Sequence, residues 1–442
     1  MHDPRFGRRL HRRQFLAGAL AAGGAVAAGR AATAQTRRTT IKMMQVSHAY
    51  ANGLTAQLGE FEQKTGIKVE IDQMSFPVLN QRADLELASG SGAYDVIQMV
   101  FIRSGRWIRA GWAEPLNPFL AKDKDVDVPD FVGGAMAPFR RGETIYALPW
   151  LADSTVVGYR ADLLDKAGYA KPPQTFEALQ EMAAKIHTRE TAGFVTQDNL
   201  HWIWPNWLIS YGGNFFANAP DDLTPRFDTP DAIKTAEMFA TLLAKYSPPG
   251  GAKLNSAVVH AIMHQGKAAY YLDGFGNVQR IIDTTKTQLA DRMAFANTPN
   301  GPKGHFPQLA VHGYLINPAS KKKEAAWDFL RWAVSKETML KSALEHGHMA
   351  CTRSSVLNNP EVKKKFIWRG SDMPALHEAV MKRAGEGYMA YRTIPQFPPI
   401  GDRVIIALTA IASGQTGAAD GMKALQKDAE ALLRKDGAPM KG

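Results

Sequence analysis

Between Thr39 and Gly111 the chain alternates strand, helix, strand, helix, strand, helix, and this constrains its fold more than any other feature. Thr39–Val46 alternates, is rich in β-branched residues and ends at Ser47-His48, so it reads as a strand. Leu54, Leu58 and Phe61 recur at spacings of four and three before Gly66, the pattern of an amphipathic helix closed by a glycine. Ile67–Ile71 is a second strand, and Leu79–Ala88 a helix that ends in the turn Ser89-Gly90-Ser91-Gly92. Tyr94–Val100 is a nearly continuous apolar strand, followed by a helix over Arg103–Ala110 and by Gly111. Strands joined through helices predict a parallel sheet with helices on its faces.

Beyond Gly111 the alternation breaks. Gly142–Pro149 and Val156–Tyr159 read as strands, with Trp150-Leu151-Ala152-Asp153 between them. Asp162 and Thr175 are candidate N-caps; the second opens a helical face of Phe176, Leu179, Met182, Ala183 and Ile186. Three tryptophans, Trp202, Trp204 and Trp207, cluster ahead of Tyr211-Gly212-Gly213. Gly266–Leu272 is a turn into a strand that ends at Asp273-Gly274-Phe275-Gly276. Short strands over Arg292–Ala296 and Leu315–Asn317, and helices over Ile233–Leu243, Glu324–Val334, Glu337–Glu345, Val404–Ala412 and Met422–Leu433, complete the reading. The 442 residues exceed one core and predict two to four domains.

Net charge is the next constraint, because +11 suggests an acidic partner. It is unevenly spread. Residues 1–34 hold six arginines (Arg5, Arg8, Arg9, Arg12, Arg13 and Arg30) against Asp3, a net +5, which leaves +6 for the rest. Leu16–Gly29 is uncharged but would span only about 21 Å as a helix, against about 30 Å for a bilayer core. Ala32-Thr33-Ala34 supplies a small-x-small cleavage site, so the segment reads as an export leader cut after Ala34. Arg12-Arg13-Gln14-Phe15-Leu16 resembles the twin-arginine export motif, with His11 in place of the usual Ser or Thr. No later run of 18 uncharged apolar residues predicts a membrane span. A periplasmic product is expected, and a single cysteine, Cys351, suits an oxidising compartment.

The sequence presents no catalytic constellation. Gly90-Ser91-Gly92 and Gly250-Gly251 lack the spacing of a phosphate loop, and there is no nucleophile elbow or zinc-binding His-Glu-x-x-His. His260 and His264 could share a helix face, yet no carboxylate lies between them. Cys351 reads as a buried, inert thiol. The runs Lys321-Lys322-Lys323 and Lys363-Lys364-Lys365 read as solvated faces and not as a nucleic-acid surface. No metal and no cofactor are expected. What remains is a set of aromatic and polar residues at strand ends, where open α/β sheets bind ligands: Ser47-His48, Val100–Arg103, Trp150–Asp153 and Asp273–Phe275. Tryptophan faces suit the C–H faces of sugars, and carboxylates or arginines suit their hydroxyls.

Several segments in order resemble the family 1 extracellular solute-binding proteins of ABC importers. Phe61-Glu62-Gln63-Lys64-Thr65-Gly66-Ile67-Lys68-Val69 resembles the family's opening helix and Thr-Gly-Ile-x-Val strand. Leu87-Ala88-Ser89-Gly90 with Tyr94-Asp95-Val96-Ile97, Ile145-Tyr146-Ala147-Leu148-Pro149, Val157-Gly158-Tyr159-Arg160 and Pro172–Leu179 resemble its next blocks. Gly266-Lys267-Ala268-Ala269, Asp273-Gly274 and the segment from Asn317 to Phe329 follow in the family's order. The resemblance implies a two-lobed α/β fold, the type II periplasmic binding protein fold. Each lobe would be a mostly parallel sheet flanked by helices, with the ligand cleft between lobes. Lobe 1 is expected at 39–149 and 296–347, and lobe 2 at 150–295 and 348–442. It implies a monomeric, non-enzymatic receptor for a sugar, polyol or related carbohydrate that docks on a membrane permease. Carried over by position, the implied ligand-binding residues are His48, Arg103, Trp150, Asp153, Trp204, Trp207, Asp273, Gly274, Phe275, Gly313, Tyr314, Arg353 and Arg392. Val100-Phe101-Ile102 and Ser47-His48 replace the Trp or acidic residues common in oligosaccharide binders, which leaves polyols, monosaccharides, uronates and glycerol phosphate esters open. Two rivals are a ferric-iron carrier, on the adjacent Tyr270 and Tyr271, and an exported cofactor-bearing enzyme.

Overall fold

The computed structural model describes residues 39–47 and 49–441; the expected leader at residues 1–34 and His48 lie outside the described residues. Seven strands form the main sheet: β1 (Thr39–Val46), β2 (Ile67–Met74), β3 (Val96–Val100), β4 (Leu148–Arg160), β5 (Tyr270–Gly274), β6 (Met293–Ala296) and β7 (Leu309–Ile316). Their order is β6-β4-β7-β3-β1-β2, with β5 also paired to β4. The helix-linked strands β1, β2 and β3 are parallel, as their short crossovers require. The pairings of β7 with β3 and of β4 with β7, β6 and β5 are antiparallel. The sheet is therefore mixed where mostly parallel sheets were expected. Its later strands arrive by long excursions, and nothing in those connections forces a parallel direction.

β4 is the element that organises the molecule. The sequence suggested two strands broken at Trp150–Asp153, but Leu148–Arg160 is one strand of 13 residues. Leu151–Ser154 pairs with β7, and Thr155–Tyr159 pairs with β5. The strand exchanges partners midway, so its backbone groups stay bonded without a turn. Buried side chains of residues 41–152 and 309–384 form one apolar core. Those of 157–272 and 391–433 form a second, and a smaller third gathers around Val156, Tyr271 and Phe275. Ala350, Cys351, Val356, Val380 and Met381 pack in the first core, although 348–442 was expected to belong to the second lobe. Among the described residues no helix is long and apolar enough to cross a membrane.

Candidate functional site

A cleft of about 1060 Å³ opens where β4 passes from one core to the other. The first core contributes Ser47 at the end of β1, Phe76 after β2, Phe101 and Ile102 after β3, and His312 from β7. The second side contributes Gln197, His201, Trp202, Arg392 and Ile406, and Asn277 joins from the segment after β5, between Phe275 and Val278 of the third core. Trp150 and Asp153 reach it from β4 itself. The wall is mainly apolar with a few convergent polar groups, the usual composition of a small-molecule site.

The polar end is built around two carboxylates. Asp153 Oδ1 accepts the Gly276 N–H at 2.7 Å. Gly274 lets the chain pass beside it, since a Cβ there would sit 2.5 Å from Asp153 Oδ2. Burial pushes the Asp153 carboxyl up to about 6, while the Gly276 N–H and the Arg280 charge oppose the rise. Asp273 lies behind the wall, fully buried. It accepts from Tyr271 OH at 2.5 Å, Gly274 N–H at 2.6 Å, Gln197 Nε2 at 2.7 Å and Asn277 Nδ2 at 3.4 Å. These bonds turn the amide oxygens of Gln197 and Asn277 away from Asp273, so the buried acid orients two residues of the cleft wall. Burial, then the nearby Asp153 charge, raise the Asp273 carboxyl to about 7.

The apolar wall has its own supports. Trp150 is 2% exposed and stacks on Tyr314 at 5.1 Å with 22° between planes, so it shows the cleft little more than an edge. His312 Nδ1 meets Gln98 Nε2 at 2.7 Å, and Gln98 Oε1 accepts the Val46 N–H at 3.0 Å, a chain that ties β7, β3 and β1 together. Burial depresses His312 to about 4, so it is neutral at pH 7. Across the cleft Arg392 is 2% exposed, with its guanidinium carbon 5.1 Å from the Phe101 ring centre, 4.9 Å from Trp202 and 5.0 Å from Phe397.

Of the residues expected from sequence, Trp150, Asp153 and Arg392 line the cleft, and Asp273 and Gly274 support it. The others stand elsewhere. Arg103 pairs with Asp84 at 3.3 Å, beside the Trp107–Asp84 hydrogen bond. Trp204 packs at a tilt against Phe215, and Trp207 against Phe176 and Phe239, all in the second core. Phe275 stacks on His377 at 5.1 Å in the third core. Gly313 admits the Phe139 ring, which a Cβ would approach to 2.8 Å. Tyr314 is the buried backing of Trp150. Arg353 is fixed by Asp130 at 3.1 Å and by the carbonyls of Val126, Asp127 and Val334. Tyr270 and Tyr271 are both fully buried, inside different cores.

Phe76, Gln197, His201, Trp202, Asn277 and His312 were not among the ligand-binding residues expected from sequence, yet they line the cleft. For Trp202 a signal existed. At about 100° per residue, Trp202 and Trp204 point to nearly opposite sides of one helical turn, so the two can pack in the same core while only one of them also reaches the cleft.

Comparison with known proteins agrees with this architecture. A family model for the bacterial extracellular solute-binding protein matches residues 47–340. The mannitol-binding protein of Pseudomonas aeruginosa is 24% identical over 383 residues, covering 82% of this chain and 85% of that protein. The erythritol/L-threitol-binding protein of Mycolicibacterium smegmatis is 25% identical over 330 residues, 70% of this chain and 69% of that protein. The crystal structure of an ABC transporter solute-binding protein from Agrobacterium radiobacter K84, in complex with ribitol, superposes with a TM-score of 0.79. It is 22% identical and the match covers 89% of this chain and 98% of that one. Two cores joined through one crossing strand, with a cleft where they meet, are the two-lobed type II periplasmic binding fold, and the chain belongs to the bacterial extracellular solute-binding protein family.

Proposed function

We propose that this protein is the ligand-capturing component of an ABC importer, and that its ligand is a polyol or small sugar held in the cleft around Asp153. The observation that carries the reading is the cleft itself, which is walled by both cores and has Asp153, Gln197 and Asn277 converging on one end. Carboxylate and amide oxygens accept from hydroxyls, and the edges and faces of Trp150, Trp202 and Phe101 pack on C–H groups. Relatives named for mannitol and for erythritol or L-threitol, and a solved neighbour with ribitol, support an acyclic polyol. We take the lobes as 39–149 with 296–347, and 150–295 with 348–442, except that 350–384 follows its packing partners into the first lobe. Ligand touching both walls stabilises the closed arrangement over the open one by its differential affinity. The closed form then docks, as a monomer, on a membrane permease, and no bond is broken. The leader at residues 1–34 would deliver the chain to the periplasm by the twin-arginine route, with cleavage after Ala34.

A thermal-shift screen of polyols, monosaccharides and oligosaccharides tests the reading. A ligand at 100 times its Kd should stabilise the folded state by about 2.7 kcal/mol. A screen in which no polyol or sugar raises the melting temperature would overturn it.

A further inference from the structure

The cleft holds a buried cation that no carboxylate among the described residues compensates. Arg392 is 2% exposed and cannot shed its proton at accessible pH. Its polar contacts are the His201 carbonyl, 3.3 Å from Nη1, and the neutral Tyr391 hydroxyl; its Nε has no hydrogen-bond partner. Among the described residues no carboxylate acts on it: Asp153 and Asp198 line the same cleft but neither forms an ion pair with it. Arg353, the comparably buried arginine of the first core, shows the usual alternative, with Asp130 at 3.1 Å and three backbone carbonyls around it. Phe101, Trp202 and Phe397 offset part of the burial of Arg392 through their ring faces. Rings cannot satisfy an N–H fork as an anion does, and a buried cation without a counter-ion is costly. Beside it His201 also lines the cleft with a buried, unpartnered Nδ1, and is kept neutral by burial and by the Arg392 charge.

We propose that the ligand carries a carboxylate seated at Arg392 and His201, so that the favoured ligands are sugar acids, polyhydroxylated chains or rings with one acidic end. This rests on the reading of the cleft as a polyol or sugar site and adds the anionic group to it. A single carboxylate matches the planar fork of one guanidinium, and the hydroxyls of the same ligand then face Asp153, Gln197 and Asn277, which line the same cleft. The two groups of residues thus select for different chemistry: donors for an anion in one, acceptors for hydroxyls in the other.

Titration calorimetry on the purified protein at pH 8 tests this with matched pairs, D-mannonate against D-mannitol and D-ribonate against D-ribitol, together with D-mannitol 1-phosphate. Each acid should bind roughly tenfold to hundredfold more tightly than its alcohol, the range of a charge-assisted hydrogen-bonded pair. The acid should weaken as salt is raised while the alcohol does not. Arg392→Gln should bring the acids down to within about threefold of the alcohols, a loss of the same charge-assisted pair. Should that variant not fold, the wild-type pairs and their salt dependence decide the matter. Alcohols that bind as tightly as their acids would overturn the carboxylate and leave the polyol reading standing. A phosphate ester that binds more tightly than mannonate would also overturn it. Binding by neither series would overturn both readings.

Discussion

Asp153 accepts one backbone N–H and faces the cleft, and its ionisation depends on what else reaches it. Its carboxyl stands near 6 in the folded protein, against about 3.9 in an unfolded chain. The unfolded state therefore releases its proton first. The stability this group contributes is fully present below about pH 4 and is lost as pH rises through about 6. Asp273, raised to about 7, acts in the same direction over a wider, overlapping window. A ligand hydroxyl that donates to the ionised carboxylate favours the charged form, so ligand affinity should increase between pH 5 and pH 7 while the ligand-free protein loses stability. Asp153→Asn removes the charge. It should flatten the pH dependence of affinity, cost about 1.5–3 kcal/mol of binding at pH 7.5 and raise the melting temperature of the free protein there. Calorimetric Kd values at pH 5.0, 6.0 and 7.5 for both proteins make the test; an affinity of the wild type that does not change with pH would show that Asp153 does not meet the ligand. Arg392 differs from Asp153 because its charge is fixed, so its effect should be independent of pH over this range.

At the scale of elements, β4 carries most of the design. Its first half belongs to one core and its second half to another, and the residues at the exchange, Trp150 and Asp153, are those that line the cleft. Gly158 in its second half lies under the segment after β5, where an added Cβ would come 2.4 Å from Ile281 Cδ1 and 2.8 Å from Val278 Cγ1. Gly158→Ala should destabilise the protein by about 1–3 kcal/mol through overpacking, read as a shift in the urea midpoint. Because Val278 follows Asn277 directly in the chain, the same variant should also weaken ligand binding, which a substitution in the first core away from the cleft should not do. The outer parts of this design were legible from sequence. The periodicities around Phe61 and Phe176 gave helices, and Thr175 does cap the second, accepting the Ala178 N–H at 3.2 Å. Asp162, the other candidate cap, instead binds Arg160. The unity of β4 was not legible. Proline and aspartate are turn formers in isolation, and only the change of partner from β7 to β5 keeps Leu148–Arg160 extended. The cleft was legible in part for the same reason: a residue such as Asp153 could be picked by type and place, but Gln197 acquires its role only through Asp273, 76 residues further along the chain, which fold geometry brings to it.

For the whole molecule the path of the chain decides how it unfolds. The first core is begun by residues 41–152 and completed by 309–384, after the chain has built most of the second, and the second is completed by 391–433. Neither core is a contiguous stretch, so neither can form fully until the chain has visited the other. β4 and β7 lie side by side across the junction, which couples the two further. This path predicts one cooperative unfolding transition and not two, despite the two large cores. Tryptophan fluorescence and far-ultraviolet circular dichroism are independent probes of this, because Trp107, Trp150 and Trp327 are buried in the first core and Trp202, Trp204 and Trp207 in the second, while dichroism reports on the helices and strands of both. The two signals should show the same urea midpoint in the free protein. With ligand at 100 times its Kd, both should move together by the amount that corresponds to about 2.7 kcal/mol, because the ligand touches walls from both cores. If either signal split into two transitions of which the ligand moved only one, the ligand would be bound to a single core. Closure of the cleft could not then be the event that a membrane partner recognises.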